Sequence, residues 1–239
     1  MNRFFILTAF GFGSFLTFLP ASWAVIISPV QLDLSLRYPV ASFTVTNDSE
    51  FPITYQASTL SWTQIDVQDI QLATQDLILT PPIVTIKSRS SQVFRVGLFK
   101  KPDNLVELSY RVILEDISSD VTEKTDAGLR FRFNHDLPLF YAPLSNNDLI
   151  VWSLCASSVI GKSCLMIENK GNRHAKIVKL TALSANLVEA SNLSKTLLAG
   201  NSGQWLFPTM IGSENTTSIE LITNKGPLTL TIKDLPRFK

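Results

Sequence analysis

The sequence predicts an all-β fold of two β-sandwich domains, and the first observation behind this prediction is short-range alternation. In residues 41–46, Phe43 and Val45 alternate with polar side chains, which is the pattern of a half-buried strand. Residues 47–49 (Asn-Asp-Ser) then supply a turn. No window shows a sustained helical period with capping residues. Similar short segments separated by turn signals are typical of a sandwich, and they occupy 53–60, 83–86, 93–98 and 109–114.

The second observation is that this pattern starts again after Pro143. Residues 145–148 (Ser-Asn-Asn-Asp) form a polar stretch suited to a linker. We therefore expect an N-terminal domain over 25–144 and a C-terminal domain over 145–239, each of ordinary domain size. The strand-like segments of the second series are 165–169, 175–183, 203–208, 217–223 and 228–232.

The first 24 residues have the features of a secretory signal peptide. Arg3 is their only charged residue, and the run 4–19 is mostly apolar. Pro20 interrupts the run, and Ser22 and Ala24 stand at the minus-three and minus-one positions of a cleavage site. A membrane anchor is the alternative, but the run is short for a span of ~20 residues. We expect cleavage before residue 25 and a mature chain outside the cytoplasm.

Cys155 and Cys164 are the only cysteines. An oxidising compartment favours a disulfide between them, which would join the ends of a local hairpin. Free buried thiols are the alternative. Two cysteines without clustered histidines make a poor zinc site, so we expect no metal.

Other functional classes lack the residues that they need. The 21 basic and 20 acidic residues form no block of like charge, so a nucleic-acid-binding surface is not predicted. His135 and His174 fall in different predicted domains, and each is expected to be a surface residue or a satisfied buried one. No phosphate-binding glycine loop and no nucleophile motif is present. We expect neither an enzyme nor a bound cofactor.

The stretch 129–139 carries large apolar side chains at odd positions. In a strand, Leu129, Phe131, Phe133 and Leu137 share one face, because successive side chains point to opposite faces. Two interpretations remain open on this pattern. The stretch is either an ordinary core strand or an edge strand that offers its apolar side chains to a partner.

A series of short pieces, taken in their order and spacing, resembles the periplasmic pilus-assembly chaperones of the chaperone–usher pathway. The resemblance covers nearly the whole mature chain and is strongest to the archaic branch, through the Ser-Tyr-Arg piece at 109–111 and the Gly-Asn-Arg-His piece at 171–174. The remaining pieces are 28–29, 43–47, 76–82, 92–96, Glu107, 137–143, and the residues that flank 171–174.

The resemblance implies two immunoglobulin-like domains arranged as a boomerang. It also implies that the strand before the domain boundary is donated to pilus subunits, each of which lacks one strand of its own fold. Carried over by position, the donor residues are Leu129, Phe131, Phe133 and Leu137. The implied partners are pilus or fimbrial subunits and an outer-membrane usher, and self-association through the donor edge is a further possibility.

Four positions depart from the family pattern. The family usually binds the subunit's terminal carboxylate with two basic residues, which align here with Gln31 and Pro138. Arg111 is our preferred substitute, because arginine pairs well with carboxylates. The alternative is that Arg111 is an ordinary strand residue. Ala142 and Asp116 replace the interdomain arginine and glutamate of classical members, which leaves the domain angle open.

A second function is consistent with the same composition. A secreted immunoglobulin-like adhesion or surface-binding module would also carry a signal peptide and two sandwiches. It predicts that 129–139 is an internal core strand and that the protein forms no complex with a pilus subunit.

Overall fold

A computed structural model describes residues 25–65, 68–99, 102, 104–118, 132–157, 159–160, 162–184, 188–207 and 216–231. In these ranges the ordered elements are β-strands, which confirms the predicted all-β fold. No helix in the described part of the chain is long and apolar enough to cross a membrane. The strands are β1 Val25–Ser28, β2 Leu32–Leu34, β3 Val40–Asn47, β4 Ile53–Ile65, β5 Gln68–Ala73, β6 Leu77–Thr80, β7 Ile83–Ile86, β8 Ser90–Leu98, β9 Leu108–Asp116, β10 His135–Tyr141, β11 Ile150–Cys155, β12 Ser163–Asn169, β13 Ala175–Ser184, β14 Val188–Leu197, β15 Ser202–Phe207, β16 Thr216–Thr223 and β17 Gly226–Thr231.

Strands β1 to β10 form the first sandwich. One sheet has the order β1-β3-β8-β6, and the other has the order β2-β10-β9-β4-β5 with β7 also paired to β4. Alternate side chains of both sheets point inward and form one core, as expected for stacked sheets. Its most enclosed members are Phe43, Val45, Tyr55, Phe94, Val112, Leu114, Leu139 and Tyr141.

The N-terminal segment of the first sandwich contributes to both sheets. β1 pairs antiparallel with β3, whereas β2 pairs parallel with β10 in the opposite sheet. The peptide bond between Ser28 and Pro29, where the chain crosses from one sheet toward the other, is cis. Because β2 is only three residues long, it covers only the end of β10, and this limits how much of the β10 edge it fills.

Strands β11 to β17 form the second sandwich. Its sheets have the orders β11-β12-β15 and β14-β13-β16-β17. A disulfide joins Cys155 and Cys164, which face each other across the β11–β12 pair. The core between the sheets consists of Trp152, Leu165, Ile167, Ile177, Leu180, Leu197, Ile219 and Leu221.

The long strand β4 changes its buried face part-way along. Tyr55 and Ala57 point into the first core, as the odd positions of a strand that covers this core should. Near its end, Trp62 and Gln64 are buried instead, although they lie on the opposite face. The reason is that the second sandwich covers this end of the sheet. Trp62 packs there with Phe140 and Leu198 in a small core of its own.

Each sandwich contains a buried asparagine with the same pattern of bonds. Asn47 donates to the carbonyls of Phe51, Ile86 and Lys87 at 2.7–3.2 Å and accepts from the Ser49 N–H at 3.0 Å. Asn169, the last residue of β12, makes the same set of bonds. It donates to the carbonyl of the residue four positions later, to that of the last residue of β14, and to that of the residue after β14. It also accepts from the N–H of the residue two positions later, at 3.1 Å. Each amide therefore holds one corner of its sandwich together.

Candidate binding edge and interdomain cleft

The edge of β10 is only partly covered. On one side β9 pairs with β10 along its whole length, from His135 to Tyr141. On the other side β2 pairs only with Leu139 to Tyr141. Among the described strands, none pairs with this side of 135–138, so a length of backbone is open to another strand. Pro138 lies within this open length, and proline is tolerated in a sheet chiefly at such edges.

The chain just before the open edge presents an aromatic side chain. Phe133 is 64% exposed, two residues ahead of β10. The adjacent Arg132 donates from Nη2 to the Ser118 carbonyl at 2.9 Å, which ties this point of the chain to the end of β9. Leu129 and Phe131, the other predicted donor residues in this segment, lie outside the described residues.

Leu137 has a different environment from the one that we expected. It is only 3% exposed and belongs to the core of the first sandwich, together with Leu139. Its side chain cannot contact a subunit without leaving that core. Leu137 is therefore corrected from a donor residue to a core residue. The physical reason is that the odd positions of β10 face inward as soon as the strand joins the sheet.

His135, the first residue of β10, is half-buried against Tyr55. The Tyr55 hydroxyl lies 3.4 Å from its Nε2. Burial holds the pKa of His135 below its ordinary value, and the Asp116 carboxylate opposes this only in part. The neutral imidazole is therefore the form that the folded protein favours.

This lowered pKa makes stability depend on pH. The unfolded chain binds the His135 proton more readily than the folded chain, so we expect the free energy of unfolding to fall as the pH drops through the unfolded value of about 6.5. Urea midpoints at about pH 7.5 and pH 5.5 measure this loss. In a His135→Gln variant the difference between the two midpoints should shrink, and an equal difference in both proteins would contradict the assignment.

Arg111 lies on the outer face of the sheet, directly opposite Pro138 in the β9–β10 register. Its guanidinium carbon stands 3.6 Å above the Trp62 ring, which is a close cation–π contact. Nη1 lies 3.3 Å from the Asp136 carboxylate. Nε is buried and has no hydrogen-bond partner in the described structure. The side chain is 16% exposed, so this cation is partly accessible and incompletely satisfied.

Gln31 stands just before β2 and donates from Nε2 to the Asp33 carboxylate at 3.1 Å. It lines a cavity between the sandwiches with Arg173 and Lys225 of the second sandwich. Arg173 is paired with Asp148, and Lys225 lies 4.0 Å from the same carboxylate. Sequence reasoning did not predict that these two cations lie near Gln31, because they come from the second sandwich.

Several polar contacts join the sandwiches, and none of them was predicted. The Glu107 N–H donates to the Asn172 carbonyl and the Asn172 amide donates to the Leu105 carbonyl, both at 2.8 Å. The buried Gln64 donates to the Thr196 carbonyl and accepts from the Leu198 N–H, both at 2.9 Å. The Glu107 carboxylate accepts from both the backbone N–H and Nδ1 of His174, at 2.7 Å each. The His174 ring also stacks on Phe140, with centroids 3.6 Å apart and planes 11° apart.

The candidate site thus combines an open strand edge with a partly satisfied arginine on the neighbouring strand β9. Within the described ranges, no group of histidine, cysteine and acidic side chains has the arrangement of a metal site. Comparison with known families gives one match, which covers residues 24–146, just over half of the chain. It is to the pili and flagellar-assembly chaperones, through the PapD N-terminal domain. The chain belongs to this chaperone family.

Solved structures resemble this chaperone over both sandwiches. A chaperone–tip adhesion subunit pre-assembly complex of the archaic Csu pili of Acinetobacter baumannii matches with a TM-score of 0.67 and 16% identity, over 90% of this chain and 100% of the other. A Salmonella enterica SafA pilin–SafB chaperone complex matches at 0.61 and 15%, over 88% and 97%. The Pseudomonas aeruginosa CupB2 chaperone matches at 0.57 and 14%, over 86% and 97%. No curated protein sequence matches this chaperone.

Proposed function

We propose that the protein is a periplasmic chaperone that binds pilus subunits by donating a strand to them and delivers them to an outer-membrane usher. The observation that carries the proposal is the open edge at 135–138, with the exposed Phe133 just ahead of it. The donor side chains in this proposal are Leu129, Phe131 and Phe133. Leu137 is left out because it fills the protein's own core.

The physics of strand addition fits this edge. A subunit that lacks a strand has unpaired backbone groups and an open apolar groove. Main-chain hydrogen bonds to the chaperone strand satisfy the unpaired backbone groups, and alternate side chains of that strand fill the apolar groove. Burial of each large apolar side chain contributes ~1.5–3 kcal/mol before the cost of ordering. No covalent step is required.

The sequence supports a route to the periplasm. In this proposal residues 1–24 are a cleaved signal peptide, and the mature chain has domains over 25–144 and 145–239. The Cys155–Cys164 disulfide suits an oxidising compartment. Two of the similar solved structures are described as complexes of a chaperone with a pilin or a tip adhesion subunit, which is the kind of partner proposed here.

The proposal assigns the subunit's terminal carboxylate to Arg111. This arginine occupies the place directly beside Pro138, where the family's second basic residue aligns. Its Nε–H is buried without a partner, and a buried donor of this kind is costly unless a ligand satisfies it. Gln31, at the other aligned position, supplies a neutral amide that already bonds to Asp33. Arg173 and Lys225 line the same cavity as Gln31, but both already face the Asp148 carboxylate, so the proposal assigns the subunit's carboxylate to Arg111.

The direct test of the function is purification from the periplasm. The full chain, including residues 1–24, is produced together with a candidate pilin-like subunit from the same organism. We expect a stable one-to-one complex and a subunit that is degraded when the chaperone is absent. Recovery of the chaperone alone, with the subunit equally abundant in both strains, would contradict the proposal and favour the adhesion-module alternative.

The role of Arg111 has its own test. Arg111→Ala should weaken binding of the subunit by about tenfold or more, because a hydrogen bond to a charged group contributes about 1.5–3 kcal/mol. Asp136→Asn should strengthen binding, because the Asp136 carboxylate competes for the same guanidinium. Affinities of the two purified variants for one refolded subunit measure both effects. Equal affinities for the wild type and Arg111→Ala would exclude Arg111 as the anchor.

A further inference from the structure

Arg111 is held mainly by ring contacts and only weakly by hydrogen bonds. Its one hydrogen bond to a side chain, from Nη1 to Asp136, is long at 3.3 Å, and its Nε–H has no partner among the described residues. The close contact is with the Trp62 indole, at 3.6 Å. The position of that indole therefore decides where the guanidinium points.

Trp62 is positioned in turn by the second sandwich. It is 3% exposed and packs against Phe140 and Leu198. The Trp62 and Phe140 ring centroids are 5.8 Å apart and the rings are tilted by 47°. The residue between them in the sheet is the small Ser109, which pairs with Phe140 and leaves room for the two rings to touch.

Phe140 is positioned by His174 of the second sandwich. The two rings lie flat against each other, and the imidazole is fixed at both nitrogens. Nδ1 lies 2.7 Å from the Glu107 carboxylate, and Nε2 lies 3.3 Å from the Asn224 amide nitrogen. A continuous series of contacts thus runs from the second sandwich through His174, Phe140 and Trp62 to the guanidinium.

We infer that Phe140 and His174 are positioning residues, and that their ring stack couples the angle between the two sandwiches to the orientation of Arg111 toward a carboxylate. The inference rests on the proposed function of Arg111 and extends it. Phe140 and His174 do not touch the bound carboxylate. They act through Trp62, so that the Arg111 guanidinium is oriented toward the carboxylate only when the second sandwich is packed against the first. Binding of a chain-terminal carboxylate in the cleft then also favours the docked arrangement, because coupling of two equilibria is reciprocal.

The test compares two forms of one probe. The probe is a fluorescein-labelled eight-residue peptide of alternating threonine and valine that ends in phenylalanine, made with a free C-terminal carboxylate or with a C-terminal carboxamide. Fluorescence polarisation with the mature chain gives the preference for the carboxylate over the amide. Phe140→Leu and His174→Gln should each lower this preference about fivefold, as expected for loss of a coupling contact. His174→Phe, which keeps a flat ring on Phe140, should retain it.

A matched control separates positioning from general destabilisation. Phe43 and Phe94 form another stacked pair, 5.0 Å apart, inside the first sandwich and away from Arg111. Phe43→Leu removes one ring from that pair as Phe140→Leu does from the other. It should lower the melting temperature while leaving the carboxylate preference unchanged.

A second measurement does not depend on the peptide. The Arg111 Nε–H signal in a ¹H–¹⁵N spectrum, identified by its loss in Arg111→Lys, reports the ring current of Trp62. It should move toward the random-coil position in Phe140→Leu and His174→Gln, and stay in place in His174→Phe and Phe43→Leu. An unchanged Nε–H signal in Phe140→Leu and His174→Gln would overturn the inference.

If Arg111→Ala keeps the full carboxylate preference, the proposed role of Arg111 as the anchor is itself wrong. If Arg111→Ala loses the preference while Phe140→Leu and His174→Gln keep it, only the positioning inference is wrong.

Discussion

Replacement of both Phe131 and Phe133 by serine is expected to abolish accumulation of the pilus subunit in the periplasm. Each change removes a large apolar side chain from the strand that the subunit would pair with, at a cost of ~1.5–3 kcal/mol per site. The chaperone itself should remain stable, because Phe133 is exposed and outside its core. Immunoblots of the subunit, with and without the variant, measure the effect.

The control uses two other exposed phenylalanines. Phe51 and Phe99 are 60% and 66% exposed and lie away from β10, so a Phe51→Ser, Phe99→Ser double variant changes the surface by the same chemistry. It should support normal subunit levels. Subunit levels that stay normal with the Phe131→Ser, Phe133→Ser protein would count decisively against strand donation from this segment.

The second large effect is expected at the buried asparagines. Asn47→Ala leaves the Ile86 and Lys87 carbonyls without their donor and removes the acceptor for Ser49. Unsatisfied buried groups cost about 1–3 kcal/mol each, so we expect a loss of about 3 kcal/mol in the free energy of unfolding. Urea unfolding followed by circular dichroism measures it.

The two sandwiches allow an internal comparison. Asn169→Ala should destabilise the second sandwich to a similar degree, because Asn169 makes the equivalent bonds there. Asn201→Ala is the control, since the Asn201 amide donates a single bond to the nearby Ala199 carbonyl. If Asn47→Ala unfolds at the same urea concentration as Asn201→Ala, the asparagine does not hold the corner of the sandwich.

The strands that were predicted correctly are those with one buried face. In β3, for example, Phe43 and Val45 alternate with polar residues because one face meets the core and the other meets solvent. β5 was missed because it is an edge strand that is exposed on nearly every residue, and its two large apolar residues, Ile70 and Leu72, are too few to indicate a strand. β4 was predicted to end at residue 60 because its buried positions change from odd to even numbers beyond that point, where Trp62 and Gln64 face the second sandwich.

The site was predictable only in part. The resemblance predicts a donor segment, and that assignment stays a proposal. Periodicity alone cannot distinguish apolar residues that enter the protein's own core from apolar residues that lie beyond the end of the sheet. Leu137 and Phe133 have the same parity, and only the point at which β10 joins β9 distinguishes them. The contact between Glu107 and His174 spans 67 residues and two domains, and nothing in a single sequence pairs such positions. His174 was expected to be a surface or satisfied residue, and it is a satisfied one.

The change of buried face within β4 has a consequence for the order of biogenesis. On the proposed export route, the chain leaves the translocation channel from its N-terminus, so β1 to β10 emerge before Leu198 does. During that interval the first sandwich can close its own core, while the rings of Trp62 and Phe140 still face water. Arrival of the β14–β15 turn then seals this apolar patch. The last step of maturation is therefore the docking of the second sandwich onto the folded first sandwich. A chain stalled before residue 198 would expose the apolar patch to the quality-control proteases of its compartment.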